Sequence, residues 1–131
     1  HFPTPSPARI RVLLVEDHAM LRERLRGIVN AHAQLEVIAE ASNGIEAVDA
    51  VRAFHPDVVV MDLNMPRMNG MEAARLIKRE FPQIGIVGLS IHNAGEMAEG
   101  MAGAGISAYV KKEAAGTTLC PAIEEAAARH V

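Results

Sequence analysis

The stretch "VVVMDLNMPRMNG", residues 58–70, decides the fold of this chain. Val58, Val59, Val60 and Met61 are apolar at every position and mostly β-branched, a run too short for a helix. It predicts a strand buried on both faces of a parallel sheet. Asp62 closes that strand, and a loop holding Asn64, Pro66 and Gly70 follows. In open α/β sheets ligands bind in the crevice outside the carboxyl ends of the strands, so an aspartate there is placed for function. The competing reading at this point is an aspartate that caps a helix or makes a turn.

Outward from this strand the same alternation recurs. "IRVLLVE" reads as a strand and "AMLRERLRGIVNA" as a helix, and "LEVIAEA" and "IEAVDAVRAF" repeat the pair. A helix over Gly70 to Glu80 follows the quoted strand. "IGIVGLS" precedes a weakly helical 94–104, and "ISAYV" precedes a helix from about 118 to 129. Each parallel connection must cross over, and does so right-handedly, so five βα units predict a doubly wound, five-stranded parallel sheet flanked by five helices, an α/β fold. The segment 94–104 is the exception in strength: glycines at 95, 100, 103 and 105 each cost a helix interior roughly 1 kcal/mol against alanine. The opening "HFPTPSPAR" has three prolines among its first seven residues and no periodicity. Residues 1–9 are therefore expected to be a Pro-rich linker, with one domain over 10–131.

Composition narrows the functional classes. With 131 residues, half of them hydrophobic, and a mean hydropathy of +0.12, the chain can fill one core. No apolar run approaches the roughly 20 residues of a membrane span, which points away from a membrane and toward the cytoplasm. Cys120 is the single cysteine, so neither an internal disulfide nor a thiolate metal site can form, and packing is its expected role. A formal net charge of −3 with no cluster of Lys or Arg argues against nucleic-acid binding by this chain.

The residues at the carboxyl ends of the predicted strands form a coherent set: Glu16 and Asp17 after the first, Asp62 after the third, Ser90 after the fourth and Lys111 after the fifth. In a doubly wound sheet these ends converge on one rim. The mutual repulsion of three carboxylates is relieved by a hard divalent cation, and Mg²⁺ suits a few carboxylates that leave room for water and phosphate oxygens. Lys111 as a point charge and Ser90 as a hydroxyl donor then fit a phosphoryl group.

"VLLVEDH", "VVVMDLNMPRMNGMEAARLI", "GLS" and "AYVKK" together resemble the receiver domain of two-component response regulators, a flavodoxin-like fold, over essentially all of 10–130. "EDH" and "DLNMPRMNG" further resemble the NarL-type subfamily. The resemblance implies that Asp62 is the phosphoacceptor, that Asp17 and Asp62 bind Mg²⁺ directly with Glu16 acting through a water, and that the Asn64 backbone carbonyl completes the metal site. It makes Ser90 and Tyr109 a switch pair, in which the aromatic turns inward as the hydroxyl moves toward the phosphoryl group; simple packing is the alternative for Tyr109. It implies a histidine kinase or histidine phosphotransfer protein as donor, an output domain or partner protein at the face built from the fourth helix, fifth strand and fifth helix, and leaves a phosphorylation-dependent dimer open. The domain would be a phosphoacceptor that promotes only its own phosphorylation and dephosphorylation, not an enzyme acting on other substrates.

Two departures stand out. Lys112 follows Lys111 where many family members have a proline after a cis peptide bond, and a cis bond before a non-proline residue costs about 2.5–4 kcal/mol. Ile91 stands beside the hydroxyl position where the family often has a small residue, and is expected to shield the phosphorylated aspartate. Three other readings compete. A phosphorylation-independent interaction module on the same fold is disfavoured by the intact acidic, hydroxyl and lysine set. A hydrolase of the aspartyl-phosphate type would need a second aspartate where Asn64 stands. Flavin binding would need a phosphate-cradling loop in place of "EDHAM".

Overall fold

The computed structural model describes residues 8–64, 70–91 and 103–129. Five parallel strands, β1 (Ile10–Val15), β2 (Leu35–Ala41), β3 (Val58–Asp62), β4 (Gly85–Ser90) and β5 (Ala108–Lys111), form one sheet in the order β2-β1-β3-β4-β5. The helices are α1 (Ala19–Asn30), α2 (Gly44–Phe54), α3 (Gly70–Glu80) and α4 (Ala115–Ala128), the last entered through a 3₁₀ turn, Lys112–Ala114. The doubly wound α/β arrangement is the one expected. The helix expected over 94–104 lies outside the described residues apart from its last two positions, as do the prolines of the first seven residues and Met65 and Met68 of the loop after Asp62.

Strand alternation sorts the core into two halves. Val12, Leu14, Val58, Val60, Val87, Leu89 and Val110 face α1 and α4, against Leu25, Val29, Leu119 and Ile123. Leu13, Val15, Val59, Met61 and Ile86 face α2 and α3, against Val48, Val51, Ala73 and Ile77. The central strand β3 is buried at all five positions, as its unbroken apolar run requires.

Local chemistry sets the helix starts. His18 caps α1 with Nδ1, which accepts from the Leu21 N–H (3.3 Å), and Asn43 caps α2 through the Glu46 N–H (2.9 Å). Gly70 opens α3 hard against the end of β3: a Cβ there would overlap the Asp62 carbonyl oxygen and meet Leu63 Cα at 2.8 Å. The last helix begins three residues earlier than the sequence suggests. The Thr117 and Thr118 hydroxyls do not cap it; both donate back to the carbonyl of Ala114, the residue before the helix (3.3 and 2.8 Å), and Pro121 stands in the helix interior on an exposed position. Cys120 is half-buried between α4 and α1, its Sγ 3.7 Å from the Ile28 carbonyl, in the packing role expected.

Edge strand β2 carries an irregularity. Val12 pairs with Val37 but Leu13 pairs with Ala39, so Ile38 is an extra residue in β2. Before it Leu35 and Val37 face the α1/α4 half; after it Ala39 and Ala41 face the α2/α3 half, which turns Glu40 toward α1.

Candidate functional site

Glu16 follows β1 directly and Asp62 ends β3; both are fully buried, while Asp17 is exposed. Carboxylate oxygens of the three lie within 4.8 Å of one another. Asp62 Oδ1 accepts the Asn64 N–H (2.9 Å), while Asp62 Oδ2 is buried with no hydrogen-bond partner among the described residues. Glu16 Oε2 accepts the His18 N–H (3.2 Å).

Among the described residues, the cation that pairs with Glu16 and Asp62 is Lys112. Its Nζ lies 2.9 Å from Glu16 Oε1, an ion pair not aligned as a hydrogen bond, and 3.1 Å from Asp62 Oδ1. Lys111, the lysine expected here from the sequence, pairs instead with Glu113 at 2.9 Å on a side chain 36% exposed. The reason is strand parity. Counting along β5, Val110 faces the α1/α4 half and Tyr109 the α2/α3 half, so Lys111 falls with Tyr109 and Lys112 with Val110. By the same count Asp62 follows Val60, and Glu16 follows Leu14, onto the α1/α4 side. Glu16, Asp62 and Lys112 therefore share one side of the rim. All described peptide bonds are trans, that between Lys111 and Lys112 included.

Ser90 and Tyr109 fall on the other side. Ser90 is fully buried, and its Oγ donates to Asn64 Oδ1 (3.1 Å). Tyr109 packs half-buried against the α2/α3 half of the core, its hydroxyl buried without a hydrogen-bond partner among the described residues. Ile91, beside Ser90, is 67% exposed.

The electrostatics follow from burial and crowding. Burial pushes Glu16 up to about 7; neighbouring Asp62 adds to this and Lys112 opposes it. Burial also acts to raise Asp17, but hydrogen bonds from Glu16 and Asp62 outweigh it and hold Asp17 below the usual carboxylate range. For Lys112 burial acts downward, and its contacts with Glu16 and Asp62 outweigh it, leaving the ammonium more firmly protonated than usual. Among the described residues, this cluster of three carboxylates has one countercharge and two buried oxygens without hydrogen bonds, Glu16 Oε1 and Asp62 Oδ2, the donor set of a hard cation that keeps some of its water.

Sequence reasoning missed Lys112, though the alternation of β5 carried the signal. It also missed Arg22, whose Nη1 donates to the Glu16 carbonyl (2.8 Å); no local pattern announces a contact six residues back. A cavity of about 370 Å³ lies at the opposite rim, lined by Arg9, His55, Asp57 and Ile84 among others, and takes no part in this cluster.

Known proteins agree with this geometry. The family model described as "Response regulator receiver domain" matches residues 12–124. The transcriptional regulatory protein DegU of Brevibacillus brevis is 33% identical over 116 residues, which cover 88% of this chain and 49% of that protein. The chain thus spans about half the length of this relative. A two-component response regulator of the LuxR family from Aurantimonas sp. SI85-9A1 superposes with a TM-score of 0.88 at 34% identity, covering 94% of this chain and 88% of that one. The receiver domain of the response regulator NarL from Mycobacterium tuberculosis superposes with a TM-score of 0.86 at 25% identity, covering 93% and 98%. With a buried aspartate ending its central strand, an acidic pair beside it and a lysine across the rim, this chain belongs to the receiver domains of two-component response regulators, among relatives of the NarL and LuxR type.

Proposed function

We propose that Asp62 accepts a phosphoryl group from the phosphohistidine of a histidine kinase or phosphotransfer protein, in a Mg²⁺-dependent reaction. The observation that carries this reading is the state of the Asp62 carboxylate: Oδ1 is held by the Asn64 N–H and Lys112, while Oδ2 is buried and accepts no hydrogen bond from the described residues. Oδ2 is the attacking atom. It forms the bond to phosphorus as the phosphorus–nitrogen bond of the donor breaks, and the departing imidazole keeps the electron pair. Glu16, Asp17, Asp62 and the Asn64 carbonyl would hold Mg²⁺, which supplies charge neutralisation on the phosphoryl oxygens. Lys112 takes the role read from sequence for Lys111, pairing with the developing charge. Ser90 reaches a phosphoryl oxygen by giving up its bond to Asn64, and Tyr109 reports that movement to the face where a partner or output domain docks.

In this reading the folded unit is 10–131, with residues 1–9 a linker. It acts in the cytoplasm, promotes only its own phosphorylation and dephosphorylation, and phosphorylation-dependent dimerisation belongs to its repertoire. No helix among the described residues is long and apolar enough to cross a membrane. Beryllofluoride with Mg²⁺, a mimic of the phosphoryl group, tests the reading. Amide NMR signals of Asp62, Ser90 and Lys112 should shift on its addition, and an unchanged spectrum refutes the phosphoacceptor assignment.

A further inference from the structure

Resting on the metal reading above, we propose that Arg22 is a positioning residue for the acidic pair, acting through the Glu16 carbonyl and held in turn by Glu40. The peptide between Glu16 and Asp17 lies just beyond the β1 ladder. Its leading residue is fixed on one side, the Glu16 N–H donating to the Ala41 carbonyl of β2 (3.1 Å). The Glu16 carbonyl lies past the last strand pairing, and the group that takes it up is the Arg22 guanidinium, at 2.8 Å. With the N–H and the carbonyl of Glu16 both held, the peptide plane leading into Asp17 is set, and with it the direction in which Asp17 leaves the backbone. Asp17 has no burial to hold it, being exposed, so the orientation of this peptide is what aims its carboxylate at Asp62.

The guanidinium is itself oriented. Its Nε lies 3.2 Å from Glu40 Oε1, and Glu40 Oε2 accepts from Arg26 Nη1 at 2.9 Å. Arg22 is only 25% exposed, between α1 and the end of β2. The bulge at Ile38 keeps Glu40 facing α1, where unbroken pairing of the same residues would turn it away, so an irregularity in the edge strand ends as an oriented donor behind the metal site. Partners that orient a ligating group typically contribute 10- to 100-fold to metal affinity.

The experiment is a Mg²⁺ titration of the full chain followed by amide NMR, with thermal melts of the same proteins without Mg²⁺. Arg22→Gln should weaken Mg²⁺ binding about tenfold and shift the Asp17 amide signal before metal is added. Arg26→Gln removes the same charge without touching the Glu16 carbonyl and should change affinity less than twofold, which separates positioning from long-range charge. Arg22→Lys keeps the charge and one donor, should fall between wild type and Arg22→Gln, and serves if the glutamine variant does not fold. A lowered melting temperature with wild-type Mg²⁺ affinity in the Arg22 variants would overturn the proposal, leaving Arg22 a structural residue. Equal loss in Arg26→Gln would overturn it in favour of bulk charge. Failure of the wild-type chain to bind Mg²⁺ would refute the metal reading itself.

Discussion

Replacing each of two adjacent lysines by methionine should separate them sharply. Lys112 is 17% exposed and stands between two fully buried carboxylates, at 2.9 and 3.1 Å. Removing one partner of a buried ion pair costs about 3–5 kcal/mol, because the other charge is left uncompensated. Glu16 moderates this: raised to about 7, it is mostly neutral in mild acid, where Asp62 alone loses its partner. The expected loss for Lys112→Met is therefore about 3 kcal/mol at pH 8 without divalent cations, and less at pH 6. For a domain of this size that is a fall in Tm of roughly 10 °C. Lys111→Met breaks an exposed pair with Glu113, worth at most about 1 kcal/mol, or roughly 3 °C. Melts followed by circular dichroism at both pH values measure the stabilities, and ¹⁹F NMR of beryllofluoride binding measures the site. Beryllofluoride affinity should drop severely in Lys112→Met and stay near wild type in Lys111→Met. A larger loss of stability and of beryllofluoride binding in Lys111→Met would refute the parity argument and return the role to Lys111.

Three further outcomes follow from the same carboxylates and their rim. Asp62→Asn should abolish acid-labile phosphorylation by a competent kinase, while its melting temperature without Mg²⁺ stays level or rises, since Glu16 still pairs with Lys112 and the crowding of three carboxylates is relieved; phosphate counting and a melt check both. Glu16 binds its proton more tightly folded than unfolded, so its contribution to stability is complete below about pH 4.5 and is lost as pH rises through about 7; the melting temperature of the metal-free domain should fall over that window, and Glu16→Gln should flatten the fall. Ile91→Ala should speed autodephosphorylation severalfold, a barrier change of about 1 kcal/mol, if a branched side chain next to Ser90 narrows the path for water; phosphoryl loss with time at equal Mg²⁺ measures it, and an equal or longer lifetime refutes the shielding.

Much of this was legible in the residues themselves. The unbroken run Val58 to Met61 specifies a central strand because such a strand has no solvent face to mark with polar residues, and the aspartate ending it is consequently at the rim. Lys111 and Lys112 show where reading by proximity fails: the last lysine that fits a strand end is chosen by the strand's two-residue period, not by closeness to the apolar run. The early start of α4 is unmarked in the sequence because Ala114, its N-cap, offers no capping side chain, while the Thr117 and Thr118 hydroxyls bond back to the Ala114 carbonyl. Arg22 was illegible for a different reason. Its partners are a main-chain carbonyl and a glutamate on another strand, and neither leaves a trace in local pattern.

The extra residue at Ile38 gives β2 a property that strands seldom have: slack in its length. Val37 and Ala39 flank it on opposite sides of the sheet, the relation that adjacent residues of a regular strand have, so the irregularity takes up one residue without disturbing the alternation before or after it. Deleting Ile38 would leave Ala39 and Ala41 against the α2/α3 half and Glu40 toward both arginines. A one-codon deletion there should therefore be accepted, whereas an insertion between Ala39 and Ala41, with nothing to absorb it, should disable a chemical centre on a neighbouring strand.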